Sequence, residues 1–186
     1  MTEITVYIAH SIDGYIADRD GSIAWLSAFD GPDYGYDPFY ARIDAIVMGA
    51  GTYRDCRAFP EWPYRGKAVI VMTKSGRLDE DGLAVFDDRT ATEIAYDLER
   101  AGLSRIWVAG GGGPIRAFLD AGLVRRLRIF QIPVILGAGT PLWLPGRKHW
   151  KAHSRAVTVH GNGVVECDWE VVTPEAGAGD SPWTRV

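Results

Sequence analysis

Four consecutive glycines, Gly110 to Gly113, stand between the apolar run "RIWVA" and Pro114. Glycine loses more backbone freedom on folding than any other residue. A run of it therefore implies a sharp turn or a close approach to the backbone. This run separates a predicted strand from a predicted helix. Free N–H groups and the positive end of a helix dipole meet at such a junction, and missing side chains let a phosphate reach them. The alternative is a tight strand-to-helix turn without a ligand. A second turn, Gly49-Ala50-Gly51-Thr52, closes the run "DAIVM" and exposes N–H groups and a hydroxyl. Thr73, Lys74 and Ser75 end a third run, "KAVIVM". Taken alone, Lys74 reads as an ordinary exposed turn lysine.

Other chemistries find little footing. A P-loop needs G-x-x-x-x-G-K-[ST], but Gly66-Lys67 is followed by Ala68. The G-x-G-x-x-G fingerprint fails at Ile115 and Arg116. Nothing matches G-x-S-x-G. His149 and His153 are four apart, yet "GRKHWKAHS" reads as basic loop before a strand, so no metal site is expected. Cys56 and Cys167 lie far apart without a C-x-x-C and read as reduced thiols of a cytosolic protein.

The elements that must position these turns are legible in the hydrophobic pattern. "ITVYIAH" reads as a first strand, and "SIDGYIADRDGSIAWL" as a loop with turn signals at Asp13-Gly14 and Asp20-Gly21. A short helix is predicted near Asp37-Pro38, with Asp37 as its cap. "DAIVM" and "KAVIVM" are strands. Thr90-x-x-Glu93 is a capping box that opens a helix carrying Ile94, Leu98 and Ala101 on one face and ending at Gly102. After the strand "RIWVAG", Pro114 is predicted at the first helical position, with Ile115, Phe118 and Leu119 buried and Gly122 at the end. "RLRIFQIPVILG" returns as a strand. "HSRAVTVHGNGVVECDWEVV" reads as a closing hairpin turning at "HGNG". Strands alternating with helices imply a parallel sheet covered on both faces, and the hairpin adds antiparallel strands. The expected fold class is a three-layer α-β-α domain with a mixed sheet. One domain over residues 1–173 and a polar tail over 174–186 are expected.

Bulk composition agrees. A chain of 186 residues, 47% hydrophobic and 24% charged, can bury one core. A net charge of −4 argues against a general nucleic-acid binder. The start, "MTEITVYIAH", reads as neither a signal peptide nor a membrane span.

Together "HSIDGYIAD", "IVMGAGTY", "VAGGGGPIRAFL" and "PVILGAGTPLW" resemble the dihydrofolate-reductase-like superfamily. The resemblance covers roughly residues 3 to 172 and is nearest to the C-terminal reductase domain of bifunctional riboflavin-biosynthesis enzymes. It implies a reductase that transfers hydride from NADPH to a small heterocycle, pterin- or pyrimidine-like, or to a carbonyl compound. The implied cofactor contacts are Ala109 to Gly113 with Ile115 at the pyrophosphate, Gly49 to Thr52 at the other phosphate groups, and Thr73, Lys74 and Ser75 at the adenosine 2′-phosphate. Ala9 and Ile16, with Ala17, match the segment that passes the nicotinamide. The resemblance also implies a cis peptide between Gly110 and Gly111, and a homodimer.

On the substrate side, Trp25 matches the tryptophan ending the family's active-site loop, or is a core aromatic. Tyr36 and Tyr40 could line the substrate pocket or the core. Asp37 lies where folate reductases carry their acidic residue; it is either the proton-delivering group or a plain helix cap, with water as the proton source. The chain departs from the riboflavin enzymes in lacking the glutamate before the glycine turn and an Asp-Asn-Pro-x-Leu stretch, which count against a riboflavin-biosynthetic role. Two alternatives keep the fold without catalysis: a protein that binds NADPH to sense or sequester it, and a dimeric scaffold.

Overall fold

The computed structural model describes residues 2–31, 33–74, 81–146 and 148–172. The first strand, β1 (Glu3–Ser11), is followed by β2 (Tyr15–Ala17), a 3₁₀ helix (Ala24–Phe29) and α1 (Tyr36–Arg42). Next come β3 (Ala45–Gly49), α2 (Ala50–Arg57), β4 (Ala68–Met72), β5 (Val85–Asp87) and α3 (Ala91–Arg100). The chain continues through β6 (Arg105–Gly110), α4 (Gly112–Asp120), β7 (Arg126–Ile132), β8 (Thr140–Pro141), β9 (Lys151–Val159) and β10 (Val165–Val172).

Eight of the described strands form one sheet in the order β5-β4-β3-β6-β1-β7-β10-β9. The first six of these run parallel, and β10 pairs antiparallel with both β7 and β9. This is the three-layer mixed sheet with a closing hairpin that the sequence implies. β3 reads "AIVMG" and is buried at all five positions, as a central parallel strand covered on both faces must be. On one face, Val6, Val47, Ile106, Val108 and Ile129 pack with Ile94 and Leu98 of α3 and Ile115 and Phe118 of α4. On the other, Ile46, Met48, Val71 and Trp107 pack with Tyr36, Phe39 and Tyr40 of α1 and Tyr53 and Cys56 of α2. Each large apolar side chain buried this way contributes about 1.5–3 kcal/mol.

Several local expectations change. α1 begins at Tyr36 and is capped from Gly35, not from Asp37. The Asp33 carboxylate accepts from the N–H groups of Gly35 (2.8 Å) and Tyr36 (3.0 Å), so Asp37 falls one residue inside the first turn. α4 begins at Gly112, which places Pro114 third rather than first. Proline is harmless there, because the first N–H groups of a helix have no internal partner. "GTYRDCR" is helical, and part of the predicted loop after β1 pairs as β2 with β8. β7 stops at Ile132, before Pro133. The capping box of α3 and the "HGNG" turn form as predicted. The predicted tail lies outside the described residues.

Candidate functional site

Both glycine turns lie at the C-terminal edge of the parallel strands, one on β3 and one on β6, which are neighbours. The two turns touch. A methyl group on Gly111 would stand 3.6 Å from Cα of Gly49, and one on Gly110 would stand 3.2 Å from Oγ1 of Thr52. Gly49 in turn faces the Pro114 ring. The run of four glycines thus has more than one cause. Gly110 and Gly111 let the turns approach each other. Gly112 lets the β8 region approach, since a methyl there would meet the Pro141 carbonyl oxygen at 2.7 Å. Gly111 has φ 80° and ψ 123°, which disfavours any side chain. Gly113 and Gly51 are exposed and have open space where a side chain would be.

All peptides among the described residues are trans, including Gly110–Gly111, which the resemblance implied to be cis. The reversal comes instead from the positive φ of Gly111.

The helices beginning at these turns are open. Neither Gly49 before α2 nor Gly111 before α4 provides a side-chain cap, and neither helix has an acidic residue in its first turn. Two positive helix ends with unpartnered N–H groups therefore stand side by side, an arrangement complementary to a diphosphate. The half-buried Thr52 hydroxyl lies between them. Met72 is in register with Gly49, so half-buried Thr73 and exposed Lys74 follow beside the α2 turn. Ser75 lies outside the described residues. Ile115 is 1% exposed in the core; its N–H reaches the Gly111 carbonyl, so this residue is packing rather than cleft.

A cleft opens next to these turns because β1 has different partners along its length. Its pairing with β6 stops at Val6–Val108, while its pairing with β7 continues to Ser11–Ile132. The second half of β1 therefore parts from Ala109 and Gly110. Ala9 and Ala109 are half-buried on opposite sides of this opening. Ile16, on β2, packs against the core beneath α4. The structure adds a tie that the sequence did not reveal. Asp13 accepts from the Ser11 hydroxyl (2.6 Å) and from the N–H groups of Leu136 (3.1 Å) and Gly137 (2.7 Å). Leu142 N–H donates to the Gly14 carbonyl. These bonds fasten the β1–β2 turn to the loop before β8. Only the long separation of the partners hid them, since Asp13-Gly14 was already marked as a turn.

The wall that α1 forms on the sheet is aromatic. Tyr40 lies toward the end of the strands away from the glycine turns, with its hydroxyl on the Pro63 carbonyl (3.4 Å) and its ring under Lys67, just before β4. Tyr36 and Tyr40 stack with centroids 5.6 Å apart, and Tyr36 meets Tyr7 and Trp107 edge-on. Ala50 and Ala109 pack on the same cluster, which joins this wall to both glycine turns. Burial pushes the Tyr36 phenol up to about 12 and raises Tyr40, so both stay neutral. Asp37 is exposed, close enough for its charge to act on Tyr36. Trp25 sits in the 3₁₀ helix against Phe130, Ile132 and Val164, and its indole N–H is buried with no partner among the described residues. Burial lowers the pKa of His10, near the end of β1. The cysteines are free thiols, and no described helix is long and apolar enough to cross a membrane.

This architecture is matched among known proteins. Residues 2–166 fit the model of the RibD C-terminal domain. YwjB of Bacillus subtilis strain 168 is 37% identical over 140 residues, covering 74% of this chain and 80% of that protein. The riboflavin biosynthesis protein RibD of Corynebacterium ammoniagenes is 29% identical over 150 residues, 73% of this chain but 44% of its own length. A crystal structure from Shewanella sp. PV-4, named for riboflavin biosynthesis, superposes with a TM-score of 0.84 at 27% identity, covering 92% of this chain and 99% of that one. RibD of Acinetobacter baumannii shares the fold, with a TM-score of 0.72 at 15% identity over 92% of this chain and 58% of that one. The chain belongs to the RibD C-terminal domain family and is reductase-like.

Proposed function

We propose that the protein is an NADPH-dependent reductase of a small heterocyclic or carbonyl compound. The observation that carries this reading is the contact between two uncapped helix starts, Gly49–Thr52 and Gly110–Gly113, at the mouth of the cleft between β1 and β6. The bound nicotinamide would supply the hydride. The glycine N–H groups and the Thr52 hydroxyl hold the diphosphate. Thr73 and Lys74 face the 2′-phosphate. Ala9, Ile16 and Ala109 bound the ring's cleft and keep water out.

The stacked Tyr36 and Tyr40, with Trp25, form the substrate wall, and the free indole N–H of Trp25 offers a donor. Asp37 delivers the proton through water, which fits its exposure. Asp37→Asn should then lower kcat, whereas an unchanged kcat would assign the proton to water alone. The protein works as a homodimer in a reducing compartment. Its free thiols suit that setting, and the outer strand β9 is exposed at all nine residues, with Val157 and Val159 at 60% and 71%. Sedimentation of the purified chain tests the dimer.

Quenching of tryptophan fluorescence by NADPH and by NADH tests the cofactor. Saturable binding that favours NADPH, with the preference lost in Lys74→Ala, is the expected result. If neither nucleotide bound, the reading would fail and the turns would be purely structural.

A further inference from the structure

The end of the sheet opposite the glycine turns holds a second cavity. There β1 begins between β6 and β7, with Glu3 in register with Arg105, Thr5 with Arg126 and Tyr7 with Arg128. In-register neighbours of a sheet share a face, so the three arginines project from the side that α1 covers. With Arg42 of α1 they line a space of about 250 Å³, whose apolar wall includes Pro38 and Phe39.

Three of the guanidiniums are fixed through one edge. Arg105 donates Nε and Nη2 to Asp44, Arg126 donates the same pair to Asp168, and Arg128 donates them to Glu166. None of these carboxylates lines the cavity. A guanidinium carries five N–H donors. The Nη1 group of each of the three has no partner among the described residues, and Arg42 has no ion pair there at all. Counting Glu3 of the lining with the three carboxylate partners, four cations stand with four carboxylates, so what the cavity offers an anion is fixed, unused N–H donors rather than excess charge. Donors already held in place lose little freedom when they bind.

We propose that this cavity is a second binding site, separate from the glycine turns, for a small organic dianion of the phosphate-monoester type. Its charged head meets the arginine edges, and its apolar body rests on Pro38 and Phe39. The site stands independently of the reductase reading. The two are nonetheless linked by α1, which presents Phe39 to this cavity and Tyr36 to the other wall; Phe39 stacks on Tyr7 at 4.6 Å.

Calorimetric titration of the full chain with phenyl phosphate tests the proposal, with benzyl alcohol as the neutral counterpart. Saturable binding of phenyl phosphate is expected. Arg42→Ala should weaken it about fivefold, and Glu3→Gln should strengthen it. Both residues are exposed, so both variants should keep the fold, which circular dichroism checks. Gly113→Glu puts a carboxylate at the glycine turn and should leave this binding unchanged. The proposal is overturned if phenyl phosphate gives no saturable heat or if benzyl alcohol binds equally well. It also fails if binding is lost in Gly113→Glu but kept in Arg42→Ala.

Discussion

Helices α3 and α4 begin in opposite ways. Thr90 closes α3: its hydroxyl accepts from the Glu93 N–H at 3.3 Å, while the Glu93 carboxylate accepts from the Thr90 N–H at 3.0 Å. α4 begins on Gly111 with no capping side chain, as α2 does on Gly49. The closed start lies on a surface that the proposed chemistry does not use. The open starts meet at the strand ends beside the cleft. Unsatisfied N–H groups at a helix start are usually capped because capping contributes about 1 kcal/mol. Leaving two of them open side by side forgoes that contribution twice, which the proposed diphosphate site would account for.

Substitutions within the glycine run separate its structural from its functional members. The largest effect is expected at Gly112, where a new methyl group meets the Pro141 carbonyl oxygen at 2.7 Å and Leu144 Cγ at 3.0 Å. Gly112→Ala should cost about 3 kcal/mol by overpacking. For a chain of this size that is a fall in Tm of roughly 6–12 °C, readable by calorimetry. Gly113 has open space instead. Gly113→Glu should leave Tm within about 2 °C but weaken NADPH about tenfold or more, by setting a carboxylate against the diphosphate. If the two variants behaved alike, the division between packing glycines and ligand-facing glycines would be wrong.

Why these roles were only partly legible in the sequence follows from range. The strands, the capping box and the glycine turns are local patterns, and they appear where the residues put them. Asp37 is not the cap because Asp33 holds the N–H groups of Gly35 and Tyr36, and the left-handed φ of 73° at Gly35 lets the chain start the helix two residues early. The packing role of Gly112 has no local signal because its neighbour, the Pro141 carbonyl, lies far along the chain. The tie from Asp13 to Leu136 and Gly137 spans more than 120 residues and has no local signature. Ile115 was assigned to the cofactor by family position, although its own apolar spacing placed it in the core, and the core is where it lies.

The closed start gives the converse test. Thr90→Ala should remove about 1 kcal/mol of stability, a fall in Tm of roughly 2–4 °C, and leave NADPH binding untouched. A loss of binding in this variant would mean that the two helix starts are coupled through the sheet.

The smallest effect concerns pH. Bonds from the Thr90 hydroxyl and then the Thr90 N–H hold the Glu93 carboxyl below its ordinary value of 4.5. A group whose pKa is depressed on folding stabilises above its unfolded value and loses that contribution as pH falls through the folded one. The α3 cap should therefore weaken only below about pH 4.5, where Glu93 takes up a proton and stops accepting from Thr90. The starts of α2 and α4 have no carboxylate to titrate. Hydrogen-exchange protection should therefore fall in the first turn of α3 as pH drops below about 4.5 and stay level in α2 and α4. The carboxylate is exposed, so the change should stay local to that turn. Equal acid sensitivity at all three starts would mean that what opens them is the sheet beneath, not the presence or absence of a cap.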